Sequence, residues 1–150
     1  MTWEIKKFDE LTVAELYAIL QLRSEVFVVE QNCVYQDMDN KDKLSYHVMY
    51  WQDDNLLATA RIIPPGISYT EPSIGRVVTS KTTRGNGTGR KLMNVAIKKT
   101  IELFGVTGIK IGAQLYLNKF YSSLGFEQTS DIYLEDGIEH IEMLRKGQIS

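Results

Sequence analysis

Six consecutive residues, Arg84-Gly85-Asn86-Gly87-Thr88-Gly89, combine three glycines at a spacing of two with positive charge, since Arg90 and Lys91 follow directly. Glycine lets main-chain N–H groups approach a ligand that a Cβ would hold off, and N–H groups at a helix start carry the positive end of its dipole. The segment therefore suits a diphosphate, and a nucleotide-like phosphate ligand is the natural expectation. Two better-known loops fit poorly. A Walker-type loop needs Gly-Lys-Ser/Thr, whereas Gly89 is followed by Arg90-Lys91-Leu92, with no hydroxyl to hold magnesium. A dinucleotide fingerprint needs Gly-x-Gly-x-x-Gly early in a repeated β-α-β series, and here both spacing and position differ. A turn that merely caps a helix is the competing reading.

A second polar group consists of His47, Arg61 and Arg76, which fall in three successive predicted strands. If hairpin register sets His47 near Arg61, the three line one side of a sheet and suit a substrate carboxylate. Glu30, Asp37, Asp39 and Asp42 lie in or before the preceding loop. They are candidates for a base, for an amine-binding site, or for plain counter-ions to the arginines. Asp37-x-Asp39 is no calcium loop, because Asp42 stands at the sixth position and Val48 at the twelfth, so no metal is expected. Cys33 has no obvious base nearby and reads as a small buried hydrophobe.

The elements that must position these residues follow from local pattern. Trp3 to Phe8 is a predicted strand. Thr12-x-x-Glu15 then forms a capping box, with Leu11 and Leu16 as the staple of a helix carrying Leu16, Ile19, Leu20 and Val26. That helix gives way to a polar loop from Gln36 to Lys43. Ser45–Trp51 and Leu56–Ile63 read as a hairpin around Asp53-Asp54-Asn55, and Ile74–Thr79 as the next strand. Beyond the glycines, Leu92/Met93, Ala96/Ile97, Thr100/Ile101 and Leu103/Phe104 mark the face of a helix stopped by Gly105. A strand near Ile109–Ile111 follows, then a helix on Leu117, Phe120, Tyr121 and Leu124 that ends at Gly125-Phe126. Glu127–Leu134 and Glu139–Leu144 flank Asp136-Gly137, a pair suited to a tight turn. The order β-α-β-β-β-α-β-α-β-β predicts an α/β (α+β) fold built on a mostly antiparallel sheet.

Bulk properties narrow the function. A length of 150 residues with 43% hydrophobic content predicts a single domain over residues 1–150. A net charge of -2 gives no reason to expect nucleic acid or an acidic membrane as partner. One cysteine and no apolar leader predict a soluble, cytoplasmic protein. Edge strands such as Glu139–Leu144 leave a homodimer open.

The pattern Arg-x-x-Gly-x-Gly between a strand and a helix resembles the acetyl-CoA-binding motif of the GNAT superfamily of acetyltransferases. Downstream, Gln114 to Phe126 resembles that superfamily's Asn-x-x-Ala-x-x-Phe-Tyr-x-x-x-Gly-Phe, with Gln114 replacing Asn and Leu117 replacing Ala. Both replacements bear on side-chain contacts to the pantetheine arm. Three further stretches are similar to the ElaA-like branch: Leu22-Arg23-x-x-Val26-Phe27-Val28-Val29-Glu30-Gln31-x-Cys33-x-Tyr35, Gly75-Arg76-Val77-Val78, and Tyr133-x-Glu135-Asp136-Gly137-Ile138-x-His140-Ile141.

The resemblance implies acetyl transfer from acetyl-CoA to a primary amine of a small molecule or peptide, the cofactor lying between two strands that splay apart in mid-sheet. It implies helices on both sheet faces and main-chain bonds from Val77, Val78 and Thr79 to pantetheine. It further implies that Arg84, Gly85, Asn86, Gly87, Thr88, Gly89 and Arg90 hold the diphosphate, and that Gln114 lies near the arm. Tyr121 stands where similar enzymes place a general acid; it also falls on its helix's apolar stripe, where it can simply pack. Glu30, His47, Arg61 and Arg76 are then candidates for the acceptor site. A module that binds acyl-CoA and regulates without catalysis is the alternative.

Overall fold

A computed structural model describes residues 1–147. Strand β1 (Thr2–Lys7) leads through a short turn to α1 (Val13–Arg23), whose start is the predicted capping box. Thr12 Oγ1 accepts from the Glu15 N–H, and the Glu15 carboxylate accepts from the Thr12 N–H. After Arg23 the helix widens into a π-helical stretch, Ser24–Glu30, before the chain turns at Asn32 with φ 50°. The periodicity that marks α1 continues through Val26, so it carries no signal of this widening.

Strands β2 (Tyr46–Gln52), β3 (Asn55–Ile63) and β4 (Ser73–Thr79) complete an antiparallel sheet ordered β1-β2-β3-β4. His47 does pair with Arg61, the condition set for the polar group, through a register shift between Tyr50 and Trp51. Between β3 and β4 the register shifts: Thr59 faces Val78 while Arg61 faces Gly75, which leaves Arg76 and Val77 opposite the single Ala60. Arg76 adopts φ 47°, a left-handed conformation that costs a non-glycine residue roughly 1–3 kcal/mol and bends the strand here.

Helix α2 (Thr88–Phe104) and strand β5 (Ile109–Gln114) follow, then a 3-10 turn and the short helix α3 (Asn118–Ser122). The predicted helix through Leu124 is thus cut short. Ser122 and Ser123 turn their hydroxyls onto Asn118 and the Phe120 carbonyl, and Gly125 adopts φ 95°.

The predicted strand Glu127–Leu134 is two strands, β6 (Phe126–Gln128) and β7 (Tyr133–Glu135). Between them the Thr129 N–H still reaches the Glu142 carbonyl, but the Glu142 N–H bonds to Ser130 Oγ instead of a main-chain carbonyl, which interrupts the ladder beyond Thr129. Strand β8 (Ile138–Arg145) pairs with β5 on one side and with β6 and β7 on the other. The expectation that Glu139–Leu144 is an edge strand is therefore corrected: it runs through the middle of its sheet.

The two sheets share a core. Ala58, Ala60 and Ile62 of β3 and Ile111, Ala113, Ile141 and Met143 of β5 and β8 pack with Leu92, Met93 and Ala96 of α2. α1 covers the opposite face of β3 and β4, so helices lie on both faces, as predicted. At the boundary, β4 and β5 start together, where the Lys110 N–H donates to the Pro72 carbonyl at 3.0 Å. Beyond that point neither strand pairs with the other among the described residues.

Candidate active site

The gap between β4 and β5 opens into a cavity of about 860 Å³. Its walls include Val77, Val78, Thr79, Arg84 and Gly89 on the β4 side, and Gly112, Ala113, Gln114 and Tyr121 on the β5 side. Residues of both sheet faces line it, so the gap is a passage through the sheet.

On the α2 face the glycine-rich segment behaves as its composition demands. Gly85 and Gly87 have φ 87° and 73°, and an added Cβ at either would meet nothing within 4 Å. Gly87 is the N-cap of α2 and offers no side-chain cap; the first main-chain acceptance in the helix is Lys91 N–H onto the Gly87 carbonyl. The N–H groups of Thr88, Gly89 and Arg90 therefore have no partner within the helix. Unpaired donors, open space and the dipole of a 17-residue helix fit a diphosphate.

The flanking side chains are already engaged. Thr88 Oγ1 lies 2.7 Å from Thr83 Oγ1 and closes the loop, while Arg90 donates to Ser123 Oγ at 2.8 Å and covers the Phe120 ring. Arg84 and Glu30, expected to serve different ligands, bond to each other at 2.7 Å. The Arg84 guanidinium holds the Glu30 carboxyl below the usual carboxylate range.

Tyr121 is 7% exposed and packs edge-on to Phe120 and Phe126 while lining the cavity. Burial pushes its hydroxyl up to about 12, so it is protonated at neutral pH.

On the α1 face the arginines and acids form one array. Arg23 bonds to Asp37 at 2.8 Å and to Asp42 at 2.7 Å; Arg61 bonds to Asp39 at 2.7 Å and Asp42 at 3.0 Å; Arg76 bonds to Asp37 at 2.8 Å. The counter-ion role is thus the one these acids fill. Arg23 appears in sequence only as a polar residue on an otherwise apolar helix face, and that position before three aspartates was the signal available. His47 does not reach the cavity lining. It is 1% exposed, its Nε2–H donates to the Asp42 carbonyl at 2.9 Å, and burial lowers its pKa. Arg61, Arg76 and Glu30 do line the cavity, as does His140, which the sequence reading did not select.

A split mixed α/β fold with an open helix start beside the split is the class of fold that acyl-CoA N-acyltransferase structures share. The chain belongs to the acetyltransferase (GNAT) domain family, whose model matches residues 10–146. It is 41% identical to the protein ElaA of Escherichia coli K12 over 146 residues, 96% of this chain and 95% of that one. The crystal structure of Escherichia coli ElaA superposes with a TM-score of 0.91 at 40% identity, covering 97% of this chain and 99% of that chain. An acyl-CoA N-acyltransferase from Pseudomonas aeruginosa superposes with a TM-score of 0.92 at 42% identity, with the same coverage.

Proposed function

We propose that the chain transfers an acetyl group from acetyl-CoA to a primary amine of a small molecule or peptide. The observation that carries this reading is the passage between β4 and β5, with unpaired helix N–H groups on one face and a polar chamber on the other. In this reading the Gly85–Arg90 main chain takes the diphosphate, and Val77, Val78 and Thr79, which among the described residues have no strand partner on the β5 side, take the pantetheine amides. Family membership and the Pseudomonas aeruginosa acyltransferase support it.

An ammonium must first become an amine. A lysine-like group with pKa near 10.4 is neutral in only on the order of one molecule in a few thousand at pH 7. Attack on the thioester carbonyl then forms the C–N bond and breaks the C–S bond. Tyr121 is protonated and faces the cavity, so it serves as the donor to the departing sulfur. Its raised pKa exceeds an ordinary thiol's value of about 8.5, so it cannot remain a phenolate. The proton shed by the acylated nitrogen must return to the Tyr121 oxygen in the same step.

Release of CoA from acetyl-CoA is measured against a panel of primary amines. Turnover is the expected result, and Tyr121→Phe is expected to slow it on the order of a hundredfold with acetyl-CoA affinity little changed. Unaltered turnover in that variant would remove Tyr121 from the mechanism. Saturable binding without turnover on any amine would make the chain a non-catalytic acyl-CoA-binding module.

A further inference from the structure

Resting on the transferase reading and going beyond it, we propose that His140 is the base that takes the proton from the incoming ammonium. Strand parity separates the two sides of the passage. Ile111 and Ala113 of β5 and Ile141 and Met143 of β8 pack with Tyr121 on the α2 and α3 face. Their alternates, Gly112, Gln114, His140 and Glu142, point the other way. Register places His140 between Gln114 on β5 and Tyr133 on β7. His140 and Tyr121 thus line the same cavity from opposite faces of the sheet, a base where the acceptor arrives and an acid where the sulfur departs.

The imidazole is held for this task. His140 Nδ1 lies 2.8 Å from the Ile138 carbonyl, and a carbonyl only accepts, so Nδ1 carries the proton and Nε2 presents its lone pair. The ring stacks on Tyr133 at 5.9 Å, and Nε2 stands 3.5 Å from Glu135 Oε2, a carboxylate ready to pair with the imidazolium once formed. Glu135 and Tyr133 of β7 are titratable groups beside it, and β5 presents the neutral Gln114 at the facing register position. Gly112 leaves the chamber floor open, since an added Cβ would lie 3.0 Å from the Tyr133 hydroxyl and 3.3 Å from that of Tyr69.

The cavity's inner carboxylates are poor rivals. Glu30 is paired with Arg84, and Asp39 with Arg61, and each is held below the usual carboxylate range. The proton balance then closes. One ammonium proton passes to Nε2, and the freed lone pair of the nitrogen forms the C–N bond. The sulfur leaves with the C–S pair and takes the Tyr121 proton, and the nitrogen's surplus proton restores Tyr121. His140 releases its proton to solvent beside Glu135, so the products are amide, thiol and one proton.

The test uses His140→Gln, with His140→Ala as a second variant, on whichever amine the wild type acetylates. The expected result is a fall in kcat/KM on the order of 10²–10⁴-fold, loss of the acid limb of the pH profile, and partial rescue of His140→Ala by added imidazole. Acetyl-CoA affinity by calorimetry should stay unchanged. A wild-type rate in His140→Gln overturns the proposal, and so does a slow variant that keeps the acid limb and ignores imidazole. Those failures leave the transferase reading standing, whereas a wild type that binds acetyl-CoA but acetylates no amine removes both.

Discussion

Arg23 holds two aspartates at once from a position that is 1% exposed. Truncating it strands Asp37 and Asp42 in a site built around a guanidinium, and breaking a buried pair in this way costs about 3–5 kcal/mol. Arg23→Ala is accordingly expected to lower the unfolding free energy by that amount in urea titrations; a loss under about 1 kcal/mol would mean the array tolerates an unpaired acid. The Glu30–Arg84 pair is more exposed, and pairs of that kind contribute only about 0–1 kcal/mol. Which acid meets which arginine was not legible beforehand. Thirty-nine positions separate Asp37 from Arg76, and 54 separate Glu30 from Arg84. Charge alone does not choose among partners at such separations.

The working element is the divergence of β4 from β5. One main-chain bond joins them at Pro72 and Lys110, and the bulge at Arg76 bends β4 just beyond. Gly112 keeps the opposite wall low. Its substitution by Ala forces the Tyr69 and Tyr133 rings apart, since their hydroxyls lie within 3.3 Å of the new carbon. Gly112→Ala is therefore expected to lower kcat/KM for the amine roughly tenfold, about 1.4 kcal/mol, while acetyl-CoA affinity holds. Steady-state kinetics beside calorimetry checks this, and an unchanged kcat/KM would place the acceptor elsewhere. The hairpin itself was legible from its turn residues, but the pairing of His47 with Arg61 was not: the two-residue turn alone sets His47 opposite Ala60, and a register shift at Tyr50/Trp51 moves it to Arg61. The bulge at Arg76 was not legible either: nothing in Gly75-Arg76-Val77 requires an arginine to adopt positive φ.

For the whole molecule, the arginine–aspartate array sets the response to acid. Burial pushes the Asp39 and Asp42 carboxyls up, but the guanidinium hydrogen bonds from Arg61 and Arg23 bring both below the ordinary value. A carboxyl whose folded pKa is depressed contributes stability above its unfolded value of about 3.9 and loses it as pH falls through the folded one. Urea midpoints are thus expected to ease down below about pH 6.5, where the enclosed His47 stays neutral while the unfolded chain protonates it, and to fall more steeply below about pH 4; equal midpoints at pH 3 and pH 6 would contradict the pairing. What the sequence by itself determined is local: the capping box at Thr12, the α2 stripe, the Asp136-Gly137 turn and the open glycine loop at Gly85–Gly89. Each depends on dihedral preference or on neighbours within a few residues, which the order of side chains carries. Tertiary structure alone decided that β8 is central, that His47 is enclosed, that Arg84 binds Glu30, and that His140 stands at the passage. These depend on how two sheets meet, and in that meeting the packing of residues up to a hundred positions apart selects one partner among several of equal charge.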